Sequence, residues 1–321
     1  MKVKVFVWSF LLVILSSFYT WGWGFAAHKH INRCAVFTLP PALFTFYKHY
    51  LGYLTDQAVN PDKRRYRVEG EATKHYIDLD YYGEDAIDKL PRKWDQIIRQ
   101  YPEKTVIAHG IVPWHIDQIK TSLTNAFKSK SLEKILKLSA DLGHYIADAN
   151  VPLHTTQNYD GQLTGQEGIH GLWETRLPEL FKEHYDCFVG QATYVEKPLM
   201  RAWEAVIQAH QLVDSVLALE KDLSNTATSF HPFSFEQRGT SLRKVYSEAY
   251  ATAYHRGLAG QVEQQMRASI KMVGDFWLTC WVDAGEPDLG DLLNVDWKKI
   301  HLQEEPASKK RRQLPVRSCG D

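Results

Sequence analysis

Apolar side chains recur at three- and four-residue intervals through most of the chain. Between Ser131 and Asn150, Leu132, Ile135, Leu138, Leu142, Tyr145 and Ile146 fall on one stripe, the pattern of a helix with one face against a core. Similar stripes run over Ile31–Leu39, Met200–Leu219, Leu242–His255 and Gln261–Trp281, with Gly257 and Gly260 punctuating the approach to the last. Turn chemistry separates them at Asn60-Pro61-Asp62, Asn158-Tyr159-Asp160-Gly161 and Gly285-Glu286-Pro287-Asp288. No period-two alternation is long enough to predict a strand. The pattern predicts an all-α chain, whose length suits one large domain or two small ones, with no Pro/Gly/Ser-rich linker to divide it.

The two ends depart from this pattern. Lys2 and Lys4 precede a run from Val5 to Phe18 that is apolar apart from serines. A charged start followed by a short apolar core predicts a secretory signal peptide over residues 1–22, and the run is too short for a mature membrane span of about 20 residues. Thr20 and Gly22 supply the small residues that signal peptidase prefers, so the mature chain is expected to start at Trp23. The domain then covers 23–303. Residues 304–321 are charged and Pro-containing, with a basic run from Lys309 to Arg312, and are expected to be a disordered, solvated tail. The protein is expected to be exported, to a periplasm or the medium, with no stable membrane span after processing.

Composition removes some readings. The 38 basic and 38 acidic side chains balance, so there is no global charge for coating nucleic acid or a membrane, and an anionic substrate must be held locally. P-loop, GxSxG and HExxH patterns are absent. Cys34, Cys187, Cys280 and Cys319 are far apart with no CxxC pair, which argues against a cysteine-based zinc site. In an exported protein they could pair as disulfides in three connectivities, or remain buried thiols.

The chemistry concentrates in His144-x3-Asp148-x5-His154-x15-His170-x3-Glu174. A spacing of four puts His144 and Asp148 on one helix face, able to reach the same ion. Pro152 stops that helix, so His154 returns from another direction. His170 and Glu174 repeat the spacing on a second helix. Imidazoles and carboxylates in this mixture suit zinc, and burying so many on otherwise apolar segments is costly unless they are paired or metal-bound. Asp62, read as a loop residue, and His75, read as helical, fit the same site, as do Trp23 and His28. A Trp23 start would expose an α-amino group and a carbonyl close to the His28 imidazole.

These residues, from Trp23 to about Glu174, resemble the superfamily that joins bacterial zinc-dependent phospholipases C with single-strand-specific zinc nucleases. The resemblance implies an all-α fold, a single multi-helix domain with a trinuclear zinc cleft. It also implies a ligand division: Asp62, His75, His144 and Asp148 on one ion, His154, His170 and Glu174 on a second, and Trp23 with His28 on a third, bridged by Asp148. Arg65 looks like a basic residue that some nuclease members place near phosphate. Lys63, Arg64 and Arg65 otherwise read as solvated loop charges. Trp114 and Trp173 read as packing residues, and Asp78 and Asp80 as either partners of His75 or helix-end polar groups.

The expected activity is phosphodiester hydrolysis, because such a centre supplies both positive charge against phosphate oxygens and a zinc-bound hydroxide as nucleophile. Asp62 is expected as ligand or orienting base, and Asp148 as the other catalytic carboxylate. The expected partner is a phosphate ester, either a phospholipid or a single-stranded nucleic acid or nucleotide. Glu174 as last ligand looks like the phospholipase branch, and the short Trp23–His28 spacing is similar to the nuclease branch. The phospholipase C-like reading is preferred, with a single-strand nuclease and 3′-nucleotidase as the alternative. A non-catalytic, zinc-stabilised exported protein is the reading from another class.

Overall fold

The computed structural model describes residues 24–226, 231–238 and 240–296. The expected signal peptide, Trp23, Cys319 and the basic tail lie outside these residues. In chain order the helices are α1 (Phe25–Ala35), α2 (Pro41–His49), α3 (Leu51–Gln57), α4 (Asn60–Arg64), α5 (Ala86–Lys89), α6 (Trp94–Gln100), α7 (Glu103–Ala108), α8 (Val112–Lys128), α9 (Leu132–Ala149) and α10 (Ile169–Gly171). They continue as α11 (Leu177–Phe181), α12 (Pro198–His210), α13 (Val213–Thr226), α14 (Glu248–Gly257) and α15 (Gln261–Asp283). The fold is all-α, as the periodicity predicts, apart from one hairpin.

The core is built where α8, α9 and α15 pack on one another, with α1 and α3 closing one side and α12 the other. Helix α8 starts with Pro113 in its first turn, where a missing N–H costs nothing. Helix α9 is amphipathic in its first half, but from Ser139 to Ala149 every residue is buried. Its last two turns therefore carry His144 and Asp148 into the interior with the apolar residues. Tyr47 stacks on Trp277 at 4.7 Å and shares a 2.7 Å hydrogen bond with Ser139, tying α2, α9 and α15 together. Glycines allow two close approaches. A Cβ on Gly143 would stand 2.0 Å from Asn32 Oδ1 on α1, and one on Gly274 would stand 1.9 Å from Thr38 Oγ1. Among the described residues, no helix is long and apolar enough to cross a membrane.

Several local expectations are corrected. The stripe assigned to Leu242–His255 begins as a strand: β1 (Phe233–Arg238) pairs antiparallel with β2 (Ser241–Tyr246). The half-buried face of β1 is Ser234, Glu236 and Arg238, while Phe233 and Phe235 point outward. That face docks by ion pairs, Glu236 with Arg176 and Arg238 with Glu179, so it carries no apolar alternation to read. Helix α14 starts only after Ser247, whose hydroxyl accepts the Tyr250 N–H at 3.2 Å. The Met200–Leu219 stripe is two helices, divided by a tight turn in which Leu212 N–H donates to Ala209 O. No proline or glycine marks that break. Asp62 lies in the short helix α4, started by Pro61, and His75 follows a 3-10 turn, Ala72–Lys74, outside any α-helix. Trp114 and Trp173 are buried; Trp114 packs edge-on to Trp94 and Trp203, as a packing residue should.

Candidate metal centre

The candidate side chains come from separate elements and converge between α1 and α9. Helix α1 carries His28, α4 Asp62 and α9 His144 and Asp148, while His75 follows its 3-10 turn. Pro152 ends α9's direction and opens a 3-10 turn that holds His154. His170 lies on α10 and Glu174 on a π-helical turn, Leu172–Arg176, a wide-turn distortion that is frequent at functional sites. The Asp160 carboxylate accepts from the N–H groups of Gly168 and His170, at 3.0 and 3.3 Å, and so fixes the start of α10. Trp23 is outside the described residues, but Gly24 N–H donates to Glu174 O at 3.1 Å, which places the head of α1 beside the Glu174 turn.

The donor atoms form three groups. In the first, Asp62 Oδ1 is 3.6 Å from His144 Nε2 and 3.8 Å from His75 Nδ1. Asp148 Oδ2 is 2.8 Å from His75 Nδ1 and 3.2 Å from His144 Nε2. The two nitrogens are 3.1 Å apart. A tetrahedral zinc with bonds of about 2.0–2.1 Å needs donors about 3.3 Å from one another, and this quartet brackets that spacing. In the second, Glu174 Oε2 is 2.9 Å from His170 Nε2 and 3.2 Å from His154 Nε2, three donors where a tetrahedral zinc would take four ligands. In the third, His28 Nε2 is 3.4 Å from Asp148 Oδ1, and the His28 ring stacks on His144 at 3.9 Å. Asp148 thus turns one oxygen to the first group and the other to His28.

The tautomers suit ligation. His144 Nδ1 donates to Ala58 O at 2.9 Å and His154 Nδ1 donates to His75 O at 2.6 Å. Each Nε2 is left as a lone pair directed at the carboxylates, the arrangement that orients metal-binding imidazoles. All these side chains are nearly inaccessible, Asp62 being the most exposed at 5%. Yet His28 Nδ1 and Nε2, both Asp62 oxygens, Asp148 Oδ1, His154 Nε2 and both Glu174 oxygens make no hydrogen bond. Buried polar atoms left so are rare and costly.

The electrostatics point the same way. Burial raises the Asp62 carboxyl to about 6 and the Glu174 carboxyl to about 7. Burial drives His75 down to about 3, and burial with the neighbouring His144 takes His28 well below its usual range. For His144 burial opposes the charge, but the Asp148 and Asp62 carboxylates outweigh it and raise the group to about 9. For Asp148 burial is outweighed by the His144 and His154 imidazoles, which hold its carboxyl well below the usual range. A cation bound among carboxylates and imidazoles crowded this deeply would offset their desolvation penalty, and the donor set fits zinc.

Supporting residues not singled out by the sequence lie behind the first group. Arg64, far from being a solvated loop charge, is paired with Glu71 at 2.7 Å and Asp141 at 2.9 Å. The Tyr145 hydroxyl donates to Glu71, and its ring packs against His75 at 5.2 Å. Arg65 is buried too, and its charge opposes the burial-driven rise of Asp62 and adds to the burial-driven fall of His75. Asp141, an acidic residue in the buried half of α9, was the available sequence signal for this network. Asp78 bonds His109 Nδ1 at 3.1 Å, and Asp80 accepts from Thr156 Oγ1 at 2.7 Å and from Gln157 N–H at 2.9 Å. Asp80 therefore braces the segment after His154.

No family model matches the chain, and no curated protein matches it. Among solved structures it is similar to an alpha-toxin from Clostridium absonum, at 13% identity and a TM-score of 0.47. It is similar also to the alpha-toxin of Clostridium perfringens from an avian strain, at 14% identity and a TM-score of 0.48. Each match covers 84% of this chain, which spans 65% of the length of either toxin.

Proposed function

We propose that this chain is a zinc-dependent phosphodiester hydrolase of phospholipase C-like type. The observation that carries the reading is Asp148, whose two buried oxygens face different imidazole groups, Oδ2 toward His75 and His144 and Oδ1 toward His28. A single ion pair needs no such arrangement; a carboxylate joining two cation sites does. Asp62, His75, His144 and Asp148 would hold one zinc, His154, His170 and Glu174 a second, and His28, Asp148 and the processed amino terminus at Trp23 a third. Bound there, zinc would supply positive charge against the phosphate oxygens and an acidified water near neutral pH.

The chain's own residues do the rest. Asp62, the most exposed of the donors, would serve either as that zinc ligand or as the base that orients the attacking water. Arg65 keeps a fixed positive charge beside it, favouring an anionic ester. Ala58 O and His75 O lock the tautomers of His144 and His154, so neither imidazole can rotate away when substrate enters. A mature chain starting at Trp23 would require export with removal of residues 1–22.

The test uses processed protein assayed on phosphatidylcholine and on single-stranded DNA, beside Asp148→Asn and His154→Ala. The reading expects turnover of the phospholipid, and loss of both zinc and turnover in the variants. Hydrolysis confined to the DNA would move the protein to the nuclease alternative. Full activity with normal zinc content in both variants would refute the centre.

A further inference from the structure

On the opposite side of α1 from His28 lies a second donor cluster that the proposed activity does not use. His30 and Cys34 stand one turn apart on that helix, and Cys187 approaches them from the segment that follows the 3-10 turn Lys182–His184. His30 Nε2 is 3.0 Å from Cys187 Sγ and 3.6 Å from Cys34 Sγ, and the three donor atoms all lie within 4.8 Å of one another. Both cysteines are free thiols. Residues 28 and 30 are two apart on a helix and so point in nearly opposite directions, which makes this cluster spatially separate from the centre already described.

We propose that His30, Cys34 and Cys187 form a distinct thiolate–imidazole site for one zinc ion, with its fourth position open to solvent. Zinc bonds of about 2.3 Å to sulfur and about 2.0–2.1 Å to nitrogen put neighbouring donors about 3.6 Å apart in a tetrahedron, close to the spacing found. Both sulfurs approach the same imidazole nitrogen. The two sulfurs also hydrogen-bond each other, and one ion could replace these contacts with a bond to each of the three donors. Two thiolates and an imidazole are a donor set that selects zinc over calcium or magnesium.

The third ligand is held in place before any ion arrives. Asp186 N–H donates to Glu263 Oε1 at 2.9 Å, Asp186 pairs with Arg267 at 2.7 Å, and Arg267 also donates to Phe188 O at 3.0 Å. Helix α15 thereby fixes the backbone on both sides of Cys187. All three donors are half-buried, enough to protect thiolates while leaving a path for the ion. The sequence separation that made a cysteine zinc site look unlikely is removed by packing the 182–188 segment against α1. Bound zinc would displace two thiol protons to solvent and tie that segment to α1.

Cobalt(II) substitution tests the site, because the other centre has no sulfur donor and only thiolate ligation gives a sulfur-to-cobalt charge-transfer band in the near ultraviolet. Metal-stripped, air-free protein titrated with cobalt(II) should show that band. It should lose at least half its intensity in Cys187→Ser and in Cys34→Ser and persist in Cys319→Ser, and the double variant Cys34→Ser/Cys187→Ser should lose it altogether and hold one zinc ion fewer than the wild type. Far-UV circular dichroism checks that each variant is folded, and His30→Gln, which keeps both thiols, should weaken cobalt binding at the band at least tenfold. Absence of the band in folded, reduced wild type overturns the proposal. So does a Cys34–Cys187 disulfide found by peptide mapping of unreduced protein. Neither result bears on the zinc content of the Asp148 centre.

Discussion

Replacing Gly143 by alanine probes how closely α1 must approach α9 to bring His28 to Asp148. In an open helix the change would stabilise the fold by up to about 1 kcal/mol through helix propensity. Here the new Cβ would stand 2.0 Å from Asn32 Oδ1 and 2.8 Å from its Cγ, about 1.5 Å short of ordinary contact. Asn32 is 1% exposed, and its amide donates to Ala140 O at 3.1 Å and to Leu54 O at 3.4 Å, so it has little freedom to rotate. The helices must separate or the amide must lose its acceptors. Overpacking of this kind costs about 1–3 kcal/mol, which outweighs the propensity gain. His28 lies one turn from Asn32, so the same separation stretches the 3.4 Å approach of His28 to Asp148. Urea denaturation of Gly143→Ala should show a net loss of about 1–2 kcal/mol, with reduced zinc content, and Asn32→Ala/Gly143→Ala should recover part of the zinc. A more stable Gly143→Ala protein with full zinc content would refute the argument.

Other consequences follow from the same contacts. The Arg64 and Lys74 charges overcome burial and hold Glu71 at about 2. A folded pKa below the unfolded value adds stability above pH ~4.5 that is lost as pH falls toward 2. Glu71→Gln should therefore cost about 3 kcal/mol at pH 7 and flatten the acid limb of a stability–pH curve; an unchanged limb would contradict the pairing. Tyr47→Phe keeps the stack on Trp277 but loses the Ser139 hydrogen bond, and denaturant titration should show a cost of about 1 kcal/mol. Exhaustive chelation should lower the melting temperature, because each zinc present at about a hundred times its Kd contributes about 2.7 kcal/mol. Calorimetry of the stripped and reloaded protein reads this directly, and identical melting curves would exclude buried ligation.

What was legible in the sequence was whatever a local spacing encodes. The i, i+4 pair His144/Asp148, the Pro152 stop and the His170/Glu174 repeat each specify a direction relative to a helix axis, and the structure brings all of them to one place. The long amphipathic helices α9 and α15 were visible for the same reason. Hidden features depend on partners far away in the chain. The hairpin β1–β2 could not be read because Glu236 and Arg238 face inward, satisfied by Arg176 and Glu179 across about sixty residues. Arg64 looked like a loop charge because Asp141 lies 77 positions along. The Cys34/Cys187 pairing depends on a contact 153 residues apart, which no CxxC-type spacing records.

Anomalous diffraction at the zinc edge, from crystals of protein processed to Trp23, tests the central claim most directly. Three peaks should appear at the centre. One should lie within bonding distance of Asp62, His75, His144 and Asp148, one of His154, His170 and Glu174, and one of His28 and the amino terminus, with Asp148 reaching the first and third. Zinc-replete crystals with no anomalous density among these side chains would contradict the account.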